Sequence, residues 1–460
     1  MKKARKIKAI DAFCGAGGAT TGFEEKAKQL GLDHVSLAVN HWDVAINTMS
    51  VNHKKVKAVR ADMMTLIPSD VFNGQADFFW ASPSCTHHSR AKGGKPRENQ
   101  LRSQPELLYP WIDYAKPKFI VIENVPEFVE WGPLNARNIP IKKMKGAFFI
   151  HFIEGIKLRG YNVDWRVVCC ADYGDATTRK RLFIKAVRHG CGKIEWPQPT
   201  HAENPENDLF GTKLKKWKAI RECLDFNDIG KSVFNRKKPL AEKTMRRISD
   251  GMRKYCGIDL QPFLVKSNNN QTVESVDKPI STIVAGTVHH ALCTPFVIDN
   301  TNNGKARSVD KPIPAQTTKD HVSMITPIIL GQHGAASCRP VSDPCPTIAT
   351  KGAIRMITPF VVDNANGGIV RSADEPMNTV TVKDQHMGVF PMLADGRIID
   401  IYIRMLKPSE LAAAHSFPDD YVLTGNRGQQ IKQIGNSVPV KTAAAMCESA
   451  LRQLAYGRAS

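Results

Sequence analysis

The chain has 460 residues, enough for two or three domains or for one domain with a large insertion. Hydrophobic residues make up 42% of it, which supports an ordinary packed core and excludes global disorder. Lys and Arg number 64 against 44 Asp and Glu, and the net charge of +20 predicts a polyanionic partner, nucleic acid first.

No apolar run reaches the length of a membrane span. The basic start, MKKARKIKAIDAF, carries too short an apolar stretch for a signal peptide, so a cytoplasmic protein is expected. The 11 cysteines show no C-x-x-C spacing. Cys85, His87 and His88 lie close together but lack a second ligand cluster, so no metal is expected.

In chain order, Ile7 to Phe13 reads as a strand. It runs into the turn Cys14-Gly15-Ala16-Gly17-Gly18 and a helix from about Thr20 to Leu30. Strand, glycine turn and helix form the unit that lets a backbone approach a nucleotide-like ligand, although the third spaced glycine of the dinucleotide fingerprint is missing. Val35 to Val39 reads as the second strand, followed by Asn40-His41-Trp42-Asp43 and a helix. A third strand ends near Asp62, and a fourth, Phe78 to Trp80, leads into Ser82-Pro83-Ser84-Cys85. A helix follows from Gln104 to Ala115, and a fifth strand, Phe119 to Ile122, runs into Glu123-Asn124-Val125. This alternation predicts a doubly wound, mostly parallel α/β sheet, whose ligands bind beyond the carboxyl ends of the strands. The glycine turn, Trp42, Asp62, Cys85 and Glu123 all fall at such ends. A cysteine on a loop leaving a strand, flanked by cations, is placed as a reactive thiolate; the alternative is a small buried residue at a strand end.

The blocks DAFCGAGG, SPSC, ENV, TTRKRLF (Thr177 to Phe183) and QIGNSVP (Gln433 to Pro439), in this order, resemble the DNA cytosine-5 methyltransferases. The resemblance covers about residues 7–190 and 396–455. It implies a Rossmann-like methyltransferase domain and S-adenosylmethionine as methyl donor. Phe13, Gly15, Gly17, His41, Trp42, Asp62, Pro83 and Asn436 fall at the family's cofactor positions. It also implies Cys85 as the nucleophile that adds to cytosine C6, Glu123 as the carboxyl at N3, and Arg179 and Arg181 as the cations that stabilise the adduct. A base inside a duplex cannot be reached in place, so flipping is expected. Ser89, Arg90, Lys92 and Arg97, on the basic loop after the cysteine, are expected to contact DNA.

This sequence departs from the family in several positions. Ser84 intervenes between Pro83 and the cysteine, His41 stands where an acidic residue is expected, and Thr177 replaces a Gln. Three alternatives stay open: the same chemistry on tRNA, a modified sulfonium donor, and a catalytically inactive DNA-binding relative.

After Glu195 the alternation stops. Residues 211–254 hold 14 Lys or Arg against 5 Asp or Glu, which suggests phosphate contact. From Pro262 the chain repeats itself. PFLVKSNNN, PFVIDNTNN, PIILGQHGA and PFVVDNANG start at Pro262, Pro295, Pro327 and Pro359, in steps of 33, 32 and 32 residues. Each unit reads as strand, Asn/Gly turn, Pro turn and Thr-rich strand, and stacked units bury what one cannot. The family holds its target-recognition region in this interval. Residues 262–390 are therefore expected to read DNA, with Asn268 to Asn270, Asn300 to Asn303, Asn364 to Asn366, His289, His321 and His386 as candidate contacts. The expected domains are a catalytic part at 1–200, a β-rich recognition part at 201–395 and a return to the catalytic part at 396–460. The expected partners are double-stranded DNA and a cognate restriction endonuclease, for a monomer associated with the nucleoid.

Overall fold

The computed structural model describes residues 6–83, 105–133, 135, 141–205, 214–228 and 399–456. Between these last two it describes 230–233, 236–238, 240, 244, 248, 263–266, 273–283, 290–299, 305–307, 328–331, 337–340, 354–357, 360–363 and 369–372. The chain divides into two compact units. One comprises Met1–Asp225, Val276–His289 and Leu406–Ser460; the other comprises Phe226–Ser275 and His290–Met405.

The first unit is built on a seven-stranded sheet of β1 (Ile7–Ala12), β2 (His34–Asn40), β3 (Val56–Arg60), β4 (Phe78–Ala81), β5 (Phe119–Asn124), β6 (Tyr161–Cys169) and β7 (Lys180–Arg188). The spatial order is β3-β2-β1-β4-β5-β7-β6. The first five strands of that order run parallel, while β7 is antiparallel to both β5 and β6.

The central strands β1, β2, β4 and β5 are largely apolar and buried because both faces are covered. Side chains alternate between two cores. Ile10, Phe79, Ile120 and Ile184 pack on one face with Trp111, Phe128 and Phe152. Ala9, Phe78, Val121 and Phe183 pack on the other with Phe23, Met446 and Leu451.

The helices are α1 (Gly18–Gln29), α2 (Asp43–Asn52), α3 (Pro68–Val71), α4 (Tyr109–Ala115), α5 (Ala147–Leu158), α6 (Pro408–Ala414), α7 (Arg427–Asn436) and α8 (Val440–Tyr456). Two of them differ from the sequence expectation. The helix before β5 starts at Tyr109, after a 3-10 turn at 105–108. The GNSVP block does not open the last helix directly, because Gly435 and Asn436 finish α7. Gly22 lets α1 and α8 meet closely: a Cβ there would lie 2.6 Å from both Ala444 N and Val440 O.

The second unit is β-rich. Its largest sheet joins Lys231–Ser232, Ile399–Met405, His290–Asp299, Phe263–Lys266, Val273–Ser275 and Lys305–Arg307. Each repeat of the sequence forms an antiparallel hairpin, and the pairing register follows the repeat. Val265 pairs with Val273, Ile298 with Ala306, Leu330 with Cys338 and Val362 with Val370. From hairpin to hairpin both strands advance by 33, 32 and 32 positions, the steps of the sequence repeat.

The pairing between repeats recurs too. Phe263 opposite Cys293 has its counterpart in Ile328 opposite Ile357. One detail differs from the sequence expectation. The second strand of each hairpin comes before the Pro turn, not in the Thr-rich stretch after it. In the first repeat that later stretch belongs to the other unit: Ile280 bridges to Thr177, and Thr178 N donates to Ile280 O at 2.8 Å.

Candidate active site

The five parallel strands deliver their carboxyl ends to one edge of the sheet. Phe13 follows β1, His41 and Trp42 follow β2, Asp62 follows β3, Pro83 follows β4, and Glu123 is the penultimate residue of β5. β1 lies between β2 and β4, so this edge holds the point where the strand order reverses, the usual place for a ligand crevice. The expected nucleophile Cys85, its neighbour Ser84, and Ser89, Arg90, Lys92 and Arg97 lie outside the described residues. So do the candidate contacts at 268–270, 300–303, 364–366, His289, His321 and His386.

The turn after β1 is made of unusual backbone. Phe13, Gly15 and Gly17 have φ of 60°, 54° and 81°. A phenylalanine in that region is strained, and such strain is characteristic of sites that must present a side chain or a backbone in a fixed way. A Cβ at Gly15 would meet nothing nearer than Phe13 O at 4.0 Å, so this side of the turn is open. Trp42 is half-buried, its N–H held at 2.9 Å by Asn40 Oδ1, and Lys432 Nζ lies 4.5 Å from its ring centre. Asp62 is exposed, with Oδ1 accepting from Met64 N at 2.9 Å. His41 is exposed beside Trp42. Pro83 is buried, and Asn124 Nδ2 reaches its carbonyl at 3.5 Å, which ties the end of β5 to the loop leaving β4.

Glu123 is 6% exposed. Its Oε1 accepts from Arg181 Nε at 2.9 Å, and Arg179 Nη2 stands 3.9 Å away. Arg179 is buried, and its Nη1 donates to Gly435 O at 3.0 Å, so the QIGN block holds the arginine loop from below. Asn436 is exposed at the end of α7. Buried Thr177, in place of the family's Gln, accepts from Arg179 N at 3.3 Å. A carboxylate flanked by two guanidiniums, on the same sheet edge as an open glycine turn, can polarise and charge-stabilise a heterocycle.

Several groups that shape this edge carry no local sequence signal. Buried Asp175, just before the arginine loop, accepts from Thr442 N at 3.0 Å and Thr442 Oγ1 at 2.6 Å, and so caps α8. Burial pushes its carboxyl up to about 6 against those hydrogen bonds. Asp11, inside β1, accepts from Thr20 Oγ1 at 2.6 Å, and burial raises it to about 7. His415 is wholly buried, and burial, helped by the charges of Arg179 and Arg181, holds it well below its usual range. α7 did have a readable signal: Asn426 and Gln429 form a reciprocal capping box.

The model of the C-5 cytosine-specific DNA methylases matches residues 7–452. The chain belongs to this family. Among curated relatives it is similar to the type II methyltransferase M.AgeI of Thalassovita gelatinovora, 26% identical over 236 residues, with 47% of this chain and 50% of the relative covered. It is also similar to M.SacI of Streptomyces achromogenes, 26% identical over 238 residues, with 48% and 57% covered. The chain thus spans about half the length of these relatives. Among solved structures, the S. pombe Dnmt2 methyltransferase aligns over 98% of this chain and 99% of its own, at 14% identity and a TM-score of 0.48.

The family's methyl donor is S-adenosylmethionine. The residues of this edge fit such a group: an open glycine turn, an aromatic face at Trp42 and an exposed carboxylate at Asp62.

Proposed function

We propose that the chain methylates C5 of cytosine in duplex DNA at a specific sequence, with S-adenosylmethionine supplying an electrophilic methyl group. The observation that carries this reading is the cluster of Glu123, Arg181 and Arg179 on the same sheet edge as the open glycine turn. In it, Phe13, Gly15, Gly17, Trp42, Asp62, Pro83 and Asn436 hold the donor, and His41 stands where its ribose would lie. The target cytosine leaves the stack and enters between the ends of β4 and β5. The Cys85 thiolate bonds to C6 and makes C5 nucleophilic. Glu123 holds N3 through a shared proton, while Arg181 and Arg179 carry the charge that develops on the ring. After C5 takes the methyl group, a base removes the C5 proton, the C6–sulfur bond breaks and the thiolate is restored.

The hairpin repeats read the DNA sequence, and Ser89, Arg90, Lys92 and Arg97 hold phosphates around the flipped base. The strongly basic 211–254 stretch adds to the phosphate contact.

Purified protein is incubated with S-adenosylmethionine and either duplex DNA or tRNA, and the digested nucleosides are analysed by mass spectrometry. 5-Methyldeoxycytidine from the DNA sample is expected. Product only from tRNA, or none from either, overturns the proposal. Ser84→Ala and Cys85→Ala then identify the nucleophile: turnover is expected to survive the first and vanish in the second.

A further inference from the structure

A polar post lies under the glycine turn, built from residues that the sequence blocks do not single out. Tyr421, in the segment after α6, donates its hydroxyl proton to Ala16 O at 2.5 Å. Thr21, on α1, donates to Gly17 O at 2.8 Å. Each hydroxyl has a single proton, and both are used on these carbonyls. His53, at the end of α2, brings Nε2 to 3.0 Å from the Tyr421 oxygen and 3.5 Å from Thr21 Oγ1. On the other side of the ring, Nδ1 lies 2.7 Å from Glu24 Oε2, and a carboxylate only accepts. His53, 3% exposed, thus bridges the Glu24 carboxylate on one side and the Tyr421 and Thr21 hydroxyls on the other.

Glu24 is shared. Its Oε1 lies 3.3 Å from Nε2 of His34, whose Nδ1 pairs with Ser36 Oγ at 2.8 Å. Burial opposes the ionised form of Glu24, yet the hydrogen bonds and charges of His34 and His53 bring it down to about 2.

The two glycines of the turn meet different surroundings. The Cβ direction of Gly15 is open. A Cβ at Gly17 would lie 2.6 Å from Tyr421 Oη and Met49 Sδ and 2.9 Å from His53 Nε2. Gly17 is thus required by the post, whatever binds above it.

We propose that His53 and Tyr421 are positioning residues for the methyl donor: they pull the carbonyls of the Ala16–Gly17 turn inward and fix the shape of the surface that the donor meets. A trans peptide places its C=O and N–H on opposite sides, so pinning the Gly17 carbonyl also fixes the direction of the Gly18 N–H at the start of α1. The inference rests on the reading of this turn as the donor site.

The test is titration calorimetry of the 460-residue chain with S-adenosylmethionine and with S-adenosylhomocysteine, for wild type and Tyr421→Phe. The variant keeps the ring and removes one hydroxyl. Donor and product are expected to bind roughly three- to tenfold more weakly, the usual effect of one hydrogen bond, with DNA affinity in a filter-binding assay unchanged. Equal donor affinity in both proteins overturns the proposal. So does a parallel loss of donor and DNA binding that tracks a lowered melting temperature, because that is the mark of a merely structural role. Wild type that binds neither ligand defeats the donor-site reading itself, a result distinct from the first two.

Discussion

Arg181 and Glu123 meet across the end of the β5–β7 ladder, Nε to Oε1 at 2.9 Å, with Asn124 opposite Leu182 in the adjoining pair. Backbone pairing thus sets the position of the guanidinium, and the pair is held by the sheet and not by a mobile loop. Replacing Arg181 with Lys keeps the charge but loses the planar fork. Single-turnover methyl transfer is expected to slow by roughly 10²-fold in Arg181→Lys, and by at least as much in Glu123→Gln. Wild-type rates in both variants would remove the cluster from the chemistry.

Asp11 predicts a pH dependence of stability. Its folded carboxyl is raised from 3.8 to about 7, so the folded state holds a proton that the unfolded chain releases. Its contribution is fully present below about pH 4 and is lost as pH rises through about 7. Three units correspond to about 4 kcal/mol, as an order of magnitude. Asp11→Asn retains an acceptor for Thr20 and removes the titration. Urea denaturation at pH 5 and pH 8 is expected to show a smaller difference in the variant than in wild type. Glu24 acts in the opposite direction: its lowered carboxyl stabilises the fold above about pH 4.5, and that contribution fades as pH falls toward 2.

Gly22→Ala places a methyl group 2.6 Å from two backbone atoms of α8, which cannot rotate away. Overpacking of this kind costs about 1–3 kcal/mol. A thermal melt should show the loss, while Gly31→Ala, where a Cβ meets nothing within 4 Å, is governed only by its φ of +68° and should cost less.

All seven tryptophans, from Trp42 to Trp217, belong to the first unit, so tryptophan fluorescence reports on that unit alone. Deleting 327–358 removes one whole period and leaves the remaining hairpin registers in step. The fluorescence-detected unfolding midpoint is expected to be unchanged, whereas deleting only 327–342 removes half a period and should produce aggregation from unpaired strands. Equal behaviour of the two deletions would argue against register as the organising rule.

Much of the first unit was legible because its central parallel strands are largely apolar runs separated by helices, and chemistry collects at their carboxyl ends. The hairpins were legible through Pro262, Pro295, Pro327 and Pro359, since equal sequences at equal spacing form equal pairs. Other features left no local trace. Tyr421 meets Ala16 from 405 residues away, and Asp175 caps a helix that begins at Val440. Ile280 lies in the first repeat by its pattern, yet it pairs beside Thr177. A hydroxyl or carboxylate reaching across the fold resembles any surface polar residue until its partner is known.

The contact of α1 with α8 has a consequence for synthesis. Phe23 and Ala27 on α1 share a core with Met446 and Leu451, roughly 420 residues later in the chain. A ribosome adding about 5–20 residues per second needs on the order of 20–80 s to cover that distance. Through that interval the apolar face of the nascent α1 lacks its final partner, and the repeat hairpins emerge before it arrives. The first unit thus waits for α8 while the whole repeat region is made, so this is the period in which a chaperone has most to protect.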